Sequence, residues 1–264
     1  MEHELWFTAI LNKIFGGAVS ALLARIATLH GLEWVRPANA AEAAHPIHNY
    51  LAMEILVALA LVALALVVRP RLSMENPGTL QHVMEVLVDF VRSTADEIIG
   101  HGADRYVAML GTLFIFILAC NLLSLLPGLG VPVPSYGIEV SPTGYIQATL
   151  GCAVAVFLYY NYYGFRQLGV FGYLKHLCGP IILMAVIMFP IEVISNLGRM
   201  LSLSVRLYAN MLVGGLLEKV FGGLIPLLAP ALFMALHIFV SLLQAYIFML
   251  LPAVYISMAV SEEH

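Results

Sequence analysis

Between Ser195 and Met211 the chain reads SNLGRMLSLSVRLYANM, which places Arg199, Arg206, Asn196 and Asn210 inside a stretch that is otherwise nearly continuous hydrocarbon. At about 100° per residue on a helix, Glu192, Ser195, Asn196, Arg199, Ser202, Arg206 and Asn210 all fall within an arc of about 120°. From Glu192 to Asn210 that stripe covers roughly 27 Å of helix axis, enough to join the two sides of a bilayer. An arginine at the centre of a membrane helix costs roughly 2.5 to 3.5 kcal/mol, so Arg206, deep inside the helical pattern, needs water or a partner. The bland alternative is a structural ion pair between Arg199 and Glu192. Their i, i+7 separation is about 10 Å along the axis, which is too long for direct contact on one straight helix.

A second polar line lies nearer the C-terminus. His237, Ser241, Gln244 and Tyr255 share one side of a helix that is apolar elsewhere. A single membrane histidine is commonly a hydrogen-bonded packing residue. Two polar lines carry more information, because a histidine titrates near neutral pH while amides and hydroxyls hold water. Together they describe a path for protons.

The elements that must hold these lines belong to a membrane protein. The 264 residues are 61% hydrophobic and 11% charged, with mean hydropathy +0.93, whereas a soluble chain carries about 25% charged residues. The net charge of -4 and the scattered basic residues exclude a nucleic-acid footprint. Cys120, Cys152 and Cys178 are widely spaced among apolar neighbours, which fits small buried hydrophobes better than metal or redox work. No Walker-type phosphate loop is present, so no nucleotide chemistry and no cofactor are expected.

Residues 51–68, 106–126 and 145–163 each qualify as upright spans. Arg69, Arg71, Arg92 and Arg105 follow the first span, none lies between Pro127 and Thr143, and Arg166 and Lys175 follow the third. The N-terminus is therefore expected outside, with the first and third loops and the C-terminus cytoplasmic. In the first loop Leu80, Val83, Met84, Leu87, Val91 and Ile98 recur at helical spacing, which predicts an amphipathic helix on the inner membrane surface. The loop PGLGVPVPSYGIEVSPTG is too rich in proline and glycine for regular structure. Residues 180–219 stay helical in pattern for roughly 60 Å, twice the hydrocarbon thickness, and residues 231–260 form a second long helix with a kink expected at Pro252. The fold class is all-α: three upright spans, an interfacial amphipathic helix and two long tilted helices. Residues 1–44 read as an uncleaved amphipathic or irregular extracytoplasmic region, and 45–264 as the membrane domain.

LSLSVRLYANMLVGG (201–215), followed by the H-x6-Q of HIFVSLLQAYIFMLLPAVYISMAVSEEH (237–264), closely resembles subunit a of F-type ATP synthases. HPIHNYLAMEIL, TLFIFILACNLLSLLPG and GYLKHLCGP extend the resemblance from about Ala44 to the C-terminus. It implies a stator subunit in a bacterial inner membrane, with the c-subunit ring, the b-subunit stalk and the lipid bilayer as partners. Two offset aqueous half-channels would serve the ring carboxylates, and Arg206 matches the family's indispensable arginine between them. Asn210, His237 and Gln244 match residues near the outer half-channel and the arginine, while Glu192, Ser195, Arg199 and Ser202 match the cytoplasmic-side line.

The chain departs from that pattern twice. Gly215 stands where many relatives have an ionisable partner of the later histidine, and Tyr145 stands where an acid often begins the third span. Glu218, one turn beyond Gly215, is expected to take over as the partner of His237. Three rivals are weighed against this reading. A self-contained channel or transporter would show an inverted repeat or paired broken helices. A haem anchor needs facing histidines, where only His237 lies deep in a helix and His176 sits near an inner end. An intramembrane protease would carry H-E-x-x-H or a paired serine and histidine. His237 and the lack of a dense oxygen cage favour H+ over Na+.

Overall fold

The computed structural model describes residues 6–30, 46–73, 77–100, 102–123, 142–178, 182–224 and 228–260. Among these every regular element is helical: α1 Trp6–His30, α2 Asn49–Val68, α3 Thr79–Ile99, α4 Asp104–Leu123, α5 Ile146–Cys178, α6 Ile182–Leu224 and α7 Leu228–Val260. Short 3-10 turns occupy Arg69–Arg71 and Pro142–Gly144. An all-helical answer follows from the solvent, because backbone polar groups in hydrocarbon must be satisfied within their own segment.

Long α6 and α7 pack against each other and against α5, while α4 seats α7 from the other side. The buried face of α7 carries small groups at helical spacing, Ser241, Ala245 and Ala253, each 1% exposed or less, so neighbouring backbones approach closely. Phe114 and Ile117 of α4, Val156 of α5, Leu203 and Leu207 of α6 and Phe248 of α7 fill the centre. Buried hydrogen bonds cross-link the helices. Thr149 Oγ1 of α5 meets Ser204 Oγ of α6 at 3.1 Å, Thr143 donates to Asn121 Oδ1 at 2.8 Å, and Asn121 Nδ2 donates to the Ser241 carbonyl at 3.3 Å. In a membrane such bonds contribute on average about 0.6 kcal/mol each, so they fix register more than they supply stability.

Several expectations shift. The first 44 residues include a 25-residue helix, α1, whose segment Phe7–Ile26 is long and apolar enough to cross a membrane. Asn12 ties it to the start of α2 through a reciprocal pair, Asn12 Nδ2 to the Ile47 carbonyl at 3.1 Å and Ile47 N–H to Asn12 Oδ1 at 3.0 Å. The third span does not stop at 163: α5 continues to Cys178 and bends at Gly169, whose φ of 70° and ψ of 164° suit glycine alone. Its tyrosines, Asn161 and Arg166 dilute its apolar character, and it is not among the five helices that, among the described residues, are long and apolar enough to cross a membrane.

Both long helices run further than expected, α6 to Leu224 and α7 from Leu228, and 225–227 of the expected break GGLIPLLAP lie outside the described residues. The helix continues through Pro190 in α6 and through Pro252 in α7. At 43 residues and about 65 Å, α6 must slant through any bilayer that contains it. Helix α3 forms as expected and packs on α4 and α7. It buries Val91 and Ala95 and leaves Leu80, Val83 and Val86 exposed for an apolar medium. Of the Pro-rich loop, only Pro142–Gly144 lies within the described residues.

Candidate functional site

The polar stripe of α6 forms the border between the helix's packed face and its open face. Asn196, Leu203, Ser204, Leu207 and Met211 are buried against the bundle. Ile194, Leu201, Val205, Val213 and Leu216 point away from it, each 45% exposed or more. Between these two faces run Glu192, Ser195, Arg199 and Asn210, all half-buried, with Ser202 and Arg206 exposed. A single helix thus presents hydrocarbon outward and carries its charges along one edge.

At one end of the stripe the side chains knit together. Arg199 Nη2 lies 3.4 Å from Glu192 Oε1, and Arg199 Nη1 lies 3.4 Å from Asn196 Oδ1. The direct pair corrects the expectation that i, i+7 is too far. Helical side chains lean toward the N-terminus, and the long arginine stem crosses two turns that a measurement along the axis counts as a gap. Tyr160 of α5 donates to Asn196 Oδ1 at 3.1 Å, and the Arg199 guanidinium sits 5.5 Å from the ring centroid of Tyr255 on α7. This end of the α7 polar line therefore meets the α6 stripe at Arg199.

Toward the other end, His237 is buried and its Nε2 lies 3.4 Å from Met211 Sδ. Gly214 makes the room, since a β-carbon there would stand 3.2 Å from both Cε1 and Nδ1 of the imidazole. Gly214, next to the Gly215 singled out from sequence, is thus in contact with the histidine. Ser241 and Gln244 are buried on the same side of α7 as His237. The side chain of Glu218 lies outside the described residues. Among the described residues no cluster of histidine, cysteine and carboxylate suits a metal ion.

Arg206 is exposed on the open edge, and among the described residues it forms no ion pair, whereas Arg199 is paired and Arg92 holds Asp104 at 3.1 Å. A guanidinium remains charged in proteins. At this place on an apolar helix that charge needs water or a polar partner.

The structure also brings in residues that sequence reasoning did not single out. Asn121, Thr143, Thr149 and Ser204 form a fully buried polar seam, and Glu54 is half-buried in α2. A short polar side chain in the middle of an apolar span was the available signal, yet without knowing which faces pack together it does not point to partners.

A profile of the ATP synthase A chain family matches residues 51–257. The chain is 43% identical to ATP synthase subunit a of Koribacter versatilis over the full length of both. It is 45% identical to ATP synthase subunit a of Solibacter usitatus, over 84% of this chain and 91% of that one. ATP synthase subunit a 3 of Pelobacter propionicus is 39% identical over 71% of this chain and 77% of its own. The chain therefore belongs to the ATP synthase subunit a family, a membrane family of proton transport and ATP synthesis.

Proposed function

We propose that this chain is the proton-translocating stator subunit of an F-type ATP synthase, packed against a ring of c subunits and held by the b-subunit stalk. Two aqueous half-channels deliver protons to the ring carboxylates and remove them, with Arg206 as the barrier between the half-channels. The observation that carries this reading is the exposed Arg206, without an ion pair among the described residues, on the edge of an apolar open face. A permanent cation there keeps the ring carboxylate opposite it ionised and blocks a proton from crossing directly. The chain itself is non-catalytic, and the N-terminus lies outside with the C-terminus in the cytoplasm.

His237, Asn210 and Gln244 serve the outer half-channel, while Glu192, Ser195, Arg199 and Ser202 line the cytoplasmic exit. Glu218 takes the place of the ionisable group that position 215 lacks. One elementary charge crossing 100 mV releases about 2.3 kcal/mol, so several protons must be summed to drive one ATP, and a ring with many carboxylates does that summing. The test is Arg206→Ala in energised membrane vesicles. ATP synthesis driven by the proton gradient is expected to fall below about one percent of wild type, since each 1.4 kcal/mol of lost stabilisation is a factor of ten. Normal proton-driven synthesis by the variant refutes the assignment. A Glu218→Gln variant with unchanged proton uptake would remove Glu218 from the path and leave the rest intact.

A further inference from the structure

At the arginine-rich end of the bundle, α4 and α5 enclose a cleft of about 490 Å³ lined by Arg105, Tyr163, Arg166 and Gln167. Both guanidiniums are exposed, and among the described residues neither forms an ion pair. The nearest acid in sequence, Asp104, is already engaged by Arg92 at 3.1 Å. Tyr106 donates its hydroxyl to Gln167 Oε1 at 3.4 Å, which leaves the Gln167 amide nitrogen as a further donor toward the cleft. Two cations and a neutral donor converge there, and among the described residues no carboxylate pairs with either cation.

Depth identifies the occupant. Arg105 is the second residue of α4, and Arg166 lies 20 residues along α5 from Ile146, about 30 Å of helix and one hydrocarbon thickness from the opposite end. The cleft therefore opens at the level of lipid headgroups. Beneath it lies an aromatic floor, in which the Tyr163 ring sits 5.0 Å from Tyr106, 4.7 Å from Tyr159 and 5.4 Å from Tyr162. Tyrosines of this kind accumulate at membrane interfaces, where one end of the ring meets hydrocarbon and the other meets water. Beyond Arg166 the bend at Gly169 folds α5 back, so that the Tyr173 ring packs tilted with its centroid 4.5 Å from that of Phe165 and its hydroxyl donates to Asn161 Oδ1 at 2.7 Å. The bend ends the straight helix one turn past the cleft.

We propose that this cleft binds the phosphate headgroup of an anionic phospholipid from the leaflet at the arginine-rich face. Arg105 and Arg166 grip the phosphate through paired N–H donors, and the tyrosine floor takes the glycerol and upper acyl carbons. A lipid seated there wedges α4 against α5.

The test uses intact complex containing this chain in membranes, with a phosphatidylglycerol bearing a diazirine in its upper acyl chain, and peptide mass spectrometry to locate the adducts. Adducts are expected within 102–107 and 159–167, displaced by unlabelled phosphatidylglycerol and not by phosphatidylcholine or millimolar inorganic phosphate. In Arg105→Gln/Arg166→Gln the displacing concentration of phosphatidylglycerol is expected to rise roughly thirtyfold, at about 1 kcal/mol for each basic group. Arg166→Lys is expected to keep most of the binding. Equal displacement by phosphatidylcholine overturns the proposal, as does displacement by inorganic phosphate, which would mark a site for free anions. Lipid adducts found only on partner-subunit peptides, with none within 102–107 or 159–167, also overturn it. The displacement series on the wild-type complex decides the matter even where the double variant fails to assemble.

Discussion

At the residue scale, the two arginines of α6 have opposite settings. Arg199 is surrounded by Glu192, Asn196, Tyr160 and Tyr255, while Arg206, two turns on, stands at the open edge. Both positions were legible as a stripe, because 100° per residue is enough to align them. The ion pair was not, because a helical wheel treats side chains as points and ignores their lean along the axis. The pair carries a prediction. Arg199→Leu leaves Glu192 half-buried and uncompensated, and is expected to destabilise the assembled protein by about 1 to 3 kcal/mol, less than for a fully buried pair. Arg199→Leu/Glu192→Leu should recover most of that loss. Thermal denaturation of the purified complex checks it, and a double variant less stable than the single one would show that the pair is not the relevant unit.

The element scale concerns what lets helices bend or approach. Helix α5 was expected to end at 163 because its apolar run ends there, but nothing breaks the backbone until Gly169. Its φ and ψ lie in a region open only to glycine, while a β-carbon would meet no neighbour within 4 Å, so Gly169→Ala isolates the backbone term. That substitution is expected to cost about 1 to 3 kcal/mol, and an unchanged thermal midpoint would contradict it. At Gly214 the situation is reversed, with an ordinary helical backbone and an imidazole 3.2 Å from the place of a β-carbon. Gly214→Ala should need the ring to move a few tenths of an ångström and keep most activity. Gly214→Leu should displace His237 and reduce proton transport on the order of tenfold or more, with helix content by circular dichroism unchanged. Equal activity of the two variants would mean that the placement of His237 is immaterial. Both long helices run on through a proline, Pro190 in α6 and Pro252 in α7, without a break in the helix. Neighbouring helices in a membrane bundle resupply what a proline removes.

At the scale of the whole molecule, α6 and α7 each keep an open apolar face. Leu207 is fully buried while Leu201 and Val205, on the same helix, are 51% and 47% exposed, and Leu236, Phe239 and Leu242 of α7 are likewise open. Cysteines at 201 or 205 are therefore expected to form disulfides with cysteines placed on the facing ring helix, and a cysteine at 207 is not. Cross-linking at 207 with none at 201 would place the ring on the other side. The all-helical class and the two long helices could be read from periodicity and composition alone. Which face of α6 packs inward could not, because leucine and valine populate both faces of a helix surrounded by hydrocarbon, and the inward face is chosen by Ser204, Leu207 and the small groups of α7. Helix α1 was missed as a candidate span because Lys13 and Arg25 interrupt its apolar run, while its attachment to Ile47 depends on a single asparagine.

The central claim is that Arg206 meets a charge carried by another chain. A density map of the assembled complex, resolved well enough to place side chains, tests it most directly. The account predicts the Arg206 guanidinium opposite a carboxylate-bearing helix of the ring, with Leu201 and Val205 lining the same contact. Arg206 pointing into lipid, or paired with a carboxylate of its own chain with no ring helix alongside, would contradict it.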